Sequence, residues 1–393
     1  MLSTTAKRVL FVGHDAARTG APLLLLQFLR WLAANSSVQF ELLLRNGGEL
    51  VPEYSQIAST YVLNYSGTGL RVVELLVRAR ARLRFGSSIG GLLRRRYPLQ
   101  TFPVIYSNTV ANGEIVDFFG KRGHRIICHA HEMKYGIARW GGETAKESSA
   151  YVHSFIAASQ AVKRDLTEMW GLAENKIEVI HSFGRPYELS LGSQQECRTR
   201  IRAKLKIPDA DVVVGMCGTV DWRKGADLFP LLARAIKTRV GTRPYRFIWI
   251  GSRANAPEHL QLVYDIERLG LNHDTTIIGE VRNAHEYLAA LDIFALTSRE
   301  DPCPLVMLEA AALALPIVCF GQSGGAPDFV GRDAGKVVPY LDVAAMADAV
   351  LELGADPETR KSLGSMGKSR VASGFSIQSQ APKILEVIER QLS

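Results

Sequence analysis

Short apolar runs alternate with helix-length segments along the whole chain. In the first half the runs are Val9–Val12, Glu41–Leu44, Val104–Tyr106, Ile126–Cys128, Phe155–Ala157 and Glu178–Ile180. In the second half they are Val212–Met216, Phe247–Ile250, Thr276–Ile278, Ile293–Leu296, Ile317–Cys319 and Lys336–Val338. Short β-prone runs spaced by helical segments predict βα units and parallel sheets. Two such series predict two doubly wound α/β domains, each binding ligands beyond the carboxyl ends of its strands. The pattern breaks near 182–192, SFGRPYELSLG, which places a first domain at 1–188 and a second at 189–376. A basic amphipathic helix over about Gln194–Leu205 opens the second domain. Gly374-Phe375-Ser376 then precedes a last helix, Ile377–Gln391, within a 377–393 tail.

Composition narrows the class. The chain has 393 residues, 47% hydrophobic and 22% charged, enough to bury two large cores as a globular protein. Met1–Val12 has no long apolar core and no small-residue cleavage site, so no signal peptide is expected. The longest apolar run, Ala310–Phe320, is too short to span a bilayer and contains Pro316. Cys128, Cys197, Cys217, Cys303 and Cys319 have no paired spacing and read as reduced thiols of a cytoplasmic protein.

The net charge of +8 has an address. Arg71, Arg78, Arg80, Arg82, Arg84, Arg94, Arg95 and Arg96 share one stretch with a single acid, Glu74, and with interleaved leucines and valines. This is either a solvated helix face or a surface for anionic lipid or a pyrophosphate-linked acceptor, on the inner face of the membrane. No aromatic stacking pattern or base-reading motif accompanies it, so nucleic acid is not the expected partner.

Candidate chemistry concentrates in Thr297–Phe320, TSREDPCPLVMLEAAALALPIVCF. A strand end runs into a polar turn and then into a helix opened by Pro304. Pro at the first helical position wastes no hydrogen bond, and the free N–H groups of that turn attract an anion. Asp301 stands just before the helix and Glu309 inside it, two carboxylates able to accept from sugar or ribose hydroxyls. A second cluster, Gly218–Gly225 (GTVDWRKG), follows the run ending at Cys217. Gly218 lets a ligand approach the backbone, Arg223 and Lys224 supply fixed positive charge, and Gly225 permits a tight turn. Such cations neutralise a departing diphosphate without a metal. Asp209-Ala210-Asp211 looks like a D-x-D metal motif but precedes a strand, and is read as a helix-stop turn.

The segment DPCPLVMLEAAALALPI resembles the acid-pair motif of the family 4 retaining glycosyltransferases, enzymes of the two-Rossmann-domain GT-B architecture. The family pattern has two acids separated by seven residues, and the spacing matches with Asp301 in first place, Glu300 being one residue too early. Asp stands for the usual Glu and Ala314 for the usual Gly. GTVDWRKG resembles the family's G-R-L-x-x-x-K-G: Lys224 matches its diphosphate Lys, while Thr219 occupies the place of its Arg and Arg223 is the substitute. Gly279-Glu280-Val281-Arg282 matches the position whose backbone reads the base, with Val281 the contact. Gly324-Gly325-Ala326-Pro327-Asp328 matches G-G-x-P-E, and His181-Ser182-Phe183-Gly184 replaces the usual N-G-V-D. The Phe375-Ser376 pair fits a pattern near the family's C-terminus.

In the first half, Gly13–Pro22 (GHDAARTGAP) is not a dinucleotide G-x-G-x-x-G loop. It resembles the family's N-terminal glycine loop, with Gly20 and Ala21 as close-approach positions. His129-Ala-His131-Glu132 follows the Ile126–Cys128 run. H-x-H lacks a third metal ligand, and a core or capping histidine is an open alternative. The resemblance points to His131 as the residue contacting the donor sugar, with His129 its rival. Ala158–Leu166 resembles the family's segment at an interdomain strand end.

The resemblance therefore implies a GT-B fold with an interdomain cleft and a C-terminal crossover helix packing on the first domain. It implies metal-independent, retaining transfer of a hexose from a nucleotide-diphosphate sugar to a hydroxyl of a saccharide or lipid-linked acceptor, with no cofactor. His131, Arg223, Lys224 and Asp301 are its catalytic candidates. Gly20, Ala21, Gly218, Val281, Cys303, Pro304, Leu305 and Glu309 join Arg223, Lys224 and Asp301 around the donor. Two other readings stay open: a sugar-nucleotide epimerase of the same fold, and an inactive nucleotide-sugar-binding relative.

Overall fold

A computed structural model describes residues 7–64, 89–97, 102–184, 191–240 and 244–393. The chain divides into two compact units, Met1–His181 with Ile377–Ser393, and Ser182–Ser376.

The first unit is built on a seven-stranded sheet of order β3-β2-β1-β4-β5-β6-β7. Its strands are β1 Arg8–Gly13, β2 Gln39–Asn46, β3 Thr60–Asn64, β4 Val104–Ser107, β5 Arg125–Ala130, β6 Ser154–Ala157 and β7 Ile177–Val179. All neighbours pair in parallel. The central strands read as continuous apolar runs because helices cover both faces of such a sheet; Val9 to Val12 are wholly buried. β3 was not foreseen. It is an edge strand, half-exposed along its length, and a mixed TYVLN stretch carries neither an apolar run nor clear alternation. β5 continues to Ala130, so His129 lies inside a strand rather than after one.

The second unit holds a six-stranded parallel sheet of order β10-β9-β8-β11-β12-β13. Its strands are β8 Val212–Cys217, β9 Tyr245–Ser252, β10 Thr275–Gly279, β11 Ile293–Leu296, β12 Ile317–Phe320 and β13 Gly335–Val338. The basic helix that opens it spans Leu191–Lys204. Its basic side is partly an inward side. Arg198 and Arg202 both pair with Asp292, at 2.6 and 2.7 Å, and Arg202 is 1% exposed. Burial alone would raise the Asp292 pKa, but the two guanidinium groups and the Val213 N–H hold it below its ordinary value. Asp211 is likewise structural, accepting from Arg246 Nε at 2.8 Å, in keeping with a turn rather than a metal motif.

The last helix, Ile377–Leu392, returns to the first unit. Ile384, Val387 and Ile388 are buried, and the helix packs on the Gly20–Asn35 helix and on β4 and β5. Arg390 pairs with Glu178, and Gln391 donates to Ser154 Oγ at 2.9 Å. Just before it, Phe375 stays with the second unit, edge-on to Phe329 at 5.1 Å, and its carbonyl accepts from Gly184 N–H. Of the arginine stretch, Arg71, Arg78, Arg80, Arg82 and Arg84 lie outside the described residues. Arg94 to Arg96 end the helix Ile89–Arg96. Arg96 is not simply solvated: it pairs with Glu41 at 3.2 Å and lies over the Tyr97 ring.

Candidate functional site

In each sheet the strand order reverses beside the first strand of the series, between β1 and β4 and between β8 and β11. Loops leaving the carboxyl ends of two such strands diverge to opposite faces and open a crevice. In the second unit these are the Gly218–Gly225 loop after β8 and the Thr297–Pro304 loop after β11. The two strongest sequence motifs are therefore neighbours in space.

Their meeting is specific. Lys224 Nζ lies 2.5 Å from Asp301 Oδ2, with the two side chains 15% and 8% exposed. Ser298 Oγ also donates to Asp301 Oδ2, at 3.4 Å. The Lys224 backbone is pinned on both sides: its N–H donates to Asp221 Oδ1 at 2.8 Å, and its carbonyl accepts from Thr297 Oγ1 at 2.9 Å. Gly225 has φ +65°, and a Cβ there would meet Thr297 O at 2.0 Å, so only glycine lets the loops pass this closely. A Cβ on Gly218 would lie 3.4 Å from Lys224 Cε, which places that glycine under the lysine stem. Arg223, half-buried, gives its carbonyl to the Arg299 N–H at 2.7 Å. Arg299 in turn forks onto Asp227, 2.7 Å to each oxygen, and lies over the Trp222 ring.

Asp301 is held from the other side by the Gly324-Gly325 segment. Its N–H donates to Ser323 O at 2.7 Å and its carbonyl accepts from Gly325 N–H at 3.1 Å. The Gly-Gly-Ala-Pro motif thus serves the acid by clamping its backbone. The helix beyond runs Leu305–Ala312. Pro304 is not its first residue but its cap, extended at ψ 113°, so the sequence expectation was one position early. Pro304 O accepts from Met307 N–H. Among the described residues the Leu305 and Val306 N–H groups have no acceptor, which leaves them for an anion. Glu309 is buried within this helix, at 8% exposure. The Cys303 thiol, buried and bonded to Ser182, is pushed up to about 12 by burial and is inert at neutral pH. Val281 is half-buried just beyond β10.

The first unit has its own polar cluster at the carboxyl ends of β1, β4 and β5. Asn108 Nδ2 donates to Ala21 O at 3.1 Å, which fixes the orientation of its amide. Asn108 Oδ1 therefore faces His131 Nε2, 3.1 Å away, and can only accept. The His131 proton sits on Nε2, leaving Nδ1 as an acceptor. Burial first, and then the nearby His14, push the His131 pKa down to about 3, so the ring is neutral. Ala21 and His131, chosen from separate motifs, are thus linked through Asn108, which sequence reading missed. Gly20 is the first residue of the Gly20–Asn35 helix and is exposed.

His129 behaves differently. Its Nδ1 is 2.6 Å from the buried Tyr106 hydroxyl, and its Nε2 is buried with no partner among the described residues. Burial, then the neighbouring His131 ring, tilted 37° with its centroid 4.0 Å away, hold its pKa well below the ordinary histidine value. Glu132 is buried too, taking hydrogen bonds from Thr109 Oγ1 and from the Val110 and His131 N–H groups. Its carboxyl orders the turn after β5. Among the described residues no group of three or more metal-ligating side chains occurs.

Four residues to which the sequence reading gave no role complete the second-unit site: Asp221, Thr297, Ser298 and Ser323. Asp221 was legible in principle, since Asp favours the opening position of a turn. The other three act through single hydroxyls or carbonyls that any polar loop supplies.

Residues 211–356, which include both loops, match the family model described as "Glycosyl transferases group 1". The chain is 24% identical over 273 residues to the GDP-mannose-dependent monoacylated alpha-(1-6)-phosphatidylinositol monomannoside mannosyltransferase of Corynebacterium glutamicum, covering 67% of this chain and 69% of that one. It is 30% identical over 190 residues to the lipopolysaccharide core biosynthesis glycosyltransferase LpsD of Rhizobium meliloti, covering 48% of this chain and 52% of that one. Among solved structures, Anabaena Alr3699/HepE in complex with UDP aligns with a TM-score of 0.77 at 18% identity, over 98% of this chain and 100% of that one. WaaG, a glycosyltransferase involved in lipopolysaccharide biosynthesis, aligns with a TM-score of 0.70 at 13% identity, over 97% and 99%. The fold is GT-B, as the acid-pair and G-x-x-x-x-x-K-G resemblances implied.

Proposed function

We propose that this protein transfers a hexose from a nucleotide-diphosphate sugar to a hydroxyl acceptor with retention of configuration. The observation that carries the proposal is the Lys224–Asp301 pair at the switch point of the second sheet, beside a helix N-terminus with free N–H groups. One cation and two backbone donors suit a diphosphate. Two buried carboxylates, Asp301 in the loop before this helix and Glu309 inside it, suit hydroxyls of the sugar and the ribose.

In this reading Lys224 exchanges Asp301 for the incoming diphosphate, and Asp301 turns to the sugar hydroxyls. Arg223 and Lys224 stabilise the charge that grows on the leaving diphosphate as the glycosidic bond breaks. No side-chain nucleophile is assigned. The acceptor hydroxyl attacks from the face the diphosphate leaves, and a departing phosphate oxygen takes its proton. His131, neutral with Nδ1 free to accept, orients a donor-sugar hydroxyl; it does not act as an acid. Gly20, Ala21, Gly218, Val281, Cys303, Pro304 and Leu305 complete the donor contacts, and neither a metal nor a cofactor takes part.

The names of the Corynebacterium and Rhizobium relatives support an acceptor in glycolipid or lipopolysaccharide synthesis, saccharide or lipid-linked. Among the described residues no helix is long and apolar enough to cross a membrane. A cytoplasmic enzyme touching the inner face of the membrane through its arginine stretch fits this reading. The test is a thermal-shift screen of nucleoside diphosphates, followed by transfer from the matching sugar donor and NMR of the product anomer. One base should raise the melting temperature, and the product should keep the donor's anomeric configuration. Inversion, or donor turnover to an isomer without acceptor, would sink the proposal.

A further inference from the structure

A second basic site lies at the opposite end of the second sheet. The helices Leu191–Lys204 and Pro357–Gly374 and the Leu313–Pro316 turn line an open cavity of about 350 Å³. Asp292, in its wall, directly precedes β11, and Pro316 directly precedes β12. The cavity is therefore at the amino ends of the strands whose carboxyl ends carry Asp301 and the Gly324-Gly325 clamp. It is no part of the diphosphate site.

Four cations line it, Arg198, Arg360, Lys361 and Lys368, against one carboxylate, Asp292. That carboxylate is already spent on Arg198, Arg202 and the Val213 N–H. The two guanidinium groups are fixed by backbone: Arg198 Nη1 donates to Leu291 O at 2.8 Å, and Arg360 Nη1 to Leu353 O at 2.6 Å and Gly354 O at 2.9 Å. Lys361 and Lys368 are exposed and have no ion-pair partner among the described residues. Seven positions apart, they share one helix face. Between them Gly364 seats the helix hard on the turn, since a Cβ there would meet Ala314 O at 1.9 Å. That seating puts both lysines at the cavity's edge.

A concave wall with uncompensated positive charge concentrates anions. Lysines provide phosphate with point charges, and the arginines hold fixed donors behind them. Leu313, Leu315 and Pro316 supply an apolar side for the rest of a ligand. The volume suits a small molecule, not a flat bilayer surface. We propose that this cavity binds a small soluble phosphorylated metabolite, its phosphate held by Lys361 and Lys368. The helix Leu305–Ala312 begins at the diphosphate site and ends at this cavity's turn, which gives the second ligand a direct structural route to the first.

The experiment uses the full chain carrying Lys224→Ala, to weaken the other anion site, with inorganic pyrophosphate at physiological salt. Acetylation rates of individual lysines are read by mass spectrometry. Lys361 and Lys368 should slow several-fold, and Lys121, exposed on the first unit, should not. The Lys361→Gln/Lys368→Gln variant should bind pyrophosphate in calorimetry at least about tenfold more weakly, with an unchanged melting curve. Slowing at neither lysine, or equal slowing at Lys121, would overturn the proposal. Protection by phosphatidylglycerol vesicles but not by pyrophosphate would replace it with a membrane contact.

Discussion

Lys224 Nζ reaches Asp301 Oδ2 across 77 residues of sequence, at 2.5 Å. Both side chains are largely withdrawn from water. Removing one partner of such a pair leaves a buried charge uncompensated, whereas removing both does not.

Lys224→Met should therefore destabilise the protein by roughly 3 kcal/mol, and the Lys224→Met/Asp301→Asn double variant by clearly less. Urea unfolding of the four proteins in the cycle measures this. In the same cycle turnover should fall about a hundredfold or more for Lys224→Met, because the charge it meets grows as the bond breaks. An unaltered kcat would remove Lys224 from the chemistry.

Asp301 and Glu309 should divide the donor between them. Glu309→Gln is expected to weaken both the free nucleoside diphosphate and the intact donor, since it is placed on the ribose. Asp301→Asn should weaken only the intact donor. Calorimetry with both ligands decides; parallel losses in both variants would show that the division is wrong.

Gly225→Ala should cost more than the roughly 1–2 kcal/mol of a left-handed backbone alone, because Thr297 O stands 2.0 Å from the added carbon. Gly270→Ala is the control: φ is +67°, but the space is open. It should cost about 1 kcal/mol and shift the melting temperature by about 2–4 °C. Equal melting losses in the two variants would mean that the Thr297 contact yields.

Stability of the first unit should fall with acid before the carboxylates titrate. The folded His131 pKa of about 3 lies below the ordinary value of 6.5, and that of His129 also lies well below it. Between these limits the unfolded chain binds more protons, so stability is full above about pH 6.5 and declines as pH drops. Each histidine contributes up to about 1.4 kcal/mol per pH unit. Buried Glu132, whose pKa is raised, shifts the other way. The informative quantity is the difference between wild type and His131→Asn in denaturant unfolding at pH 8 and pH 5. The variant should lose less on acidification.

Membrane attachment, if the arginine stretch supplies it, is electrostatic. Wild type should sediment with anionic vesicles at low salt and detach near 0.5 M, beyond the reach of screened charges. Arg94→Ser should weaken sedimentation, whereas Arg96 belongs to Glu41 and makes a poor probe. Failure of wild type to sediment at low salt would make the stretch a solvated surface.

Much of this architecture was legible because parallel strands covered on both faces must be apolar throughout. β8, β11 and β12 stand out in the sequence for that reason. β3, half-exposed at a sheet edge, had no such signature. His129 was placed after its strand because polar residues at a strand's carboxyl end look like loop. Within the sheet it is tolerated through the Tyr106 hydroxyl.

The chain alone determined the two series of βα units, the order of the motifs along them, and the residue types able to meet phosphate and sugar. These follow from local periodicity and from chemistry carried by single side chains. Only the tertiary structure decided that Lys224 pairs with Asp301, that Gly324-Gly325 clamps the acid, and that Asn108 joins Ala21 to His131. Each of these depends on strand order, and strand order is set by long-range packing that no local pattern encodes.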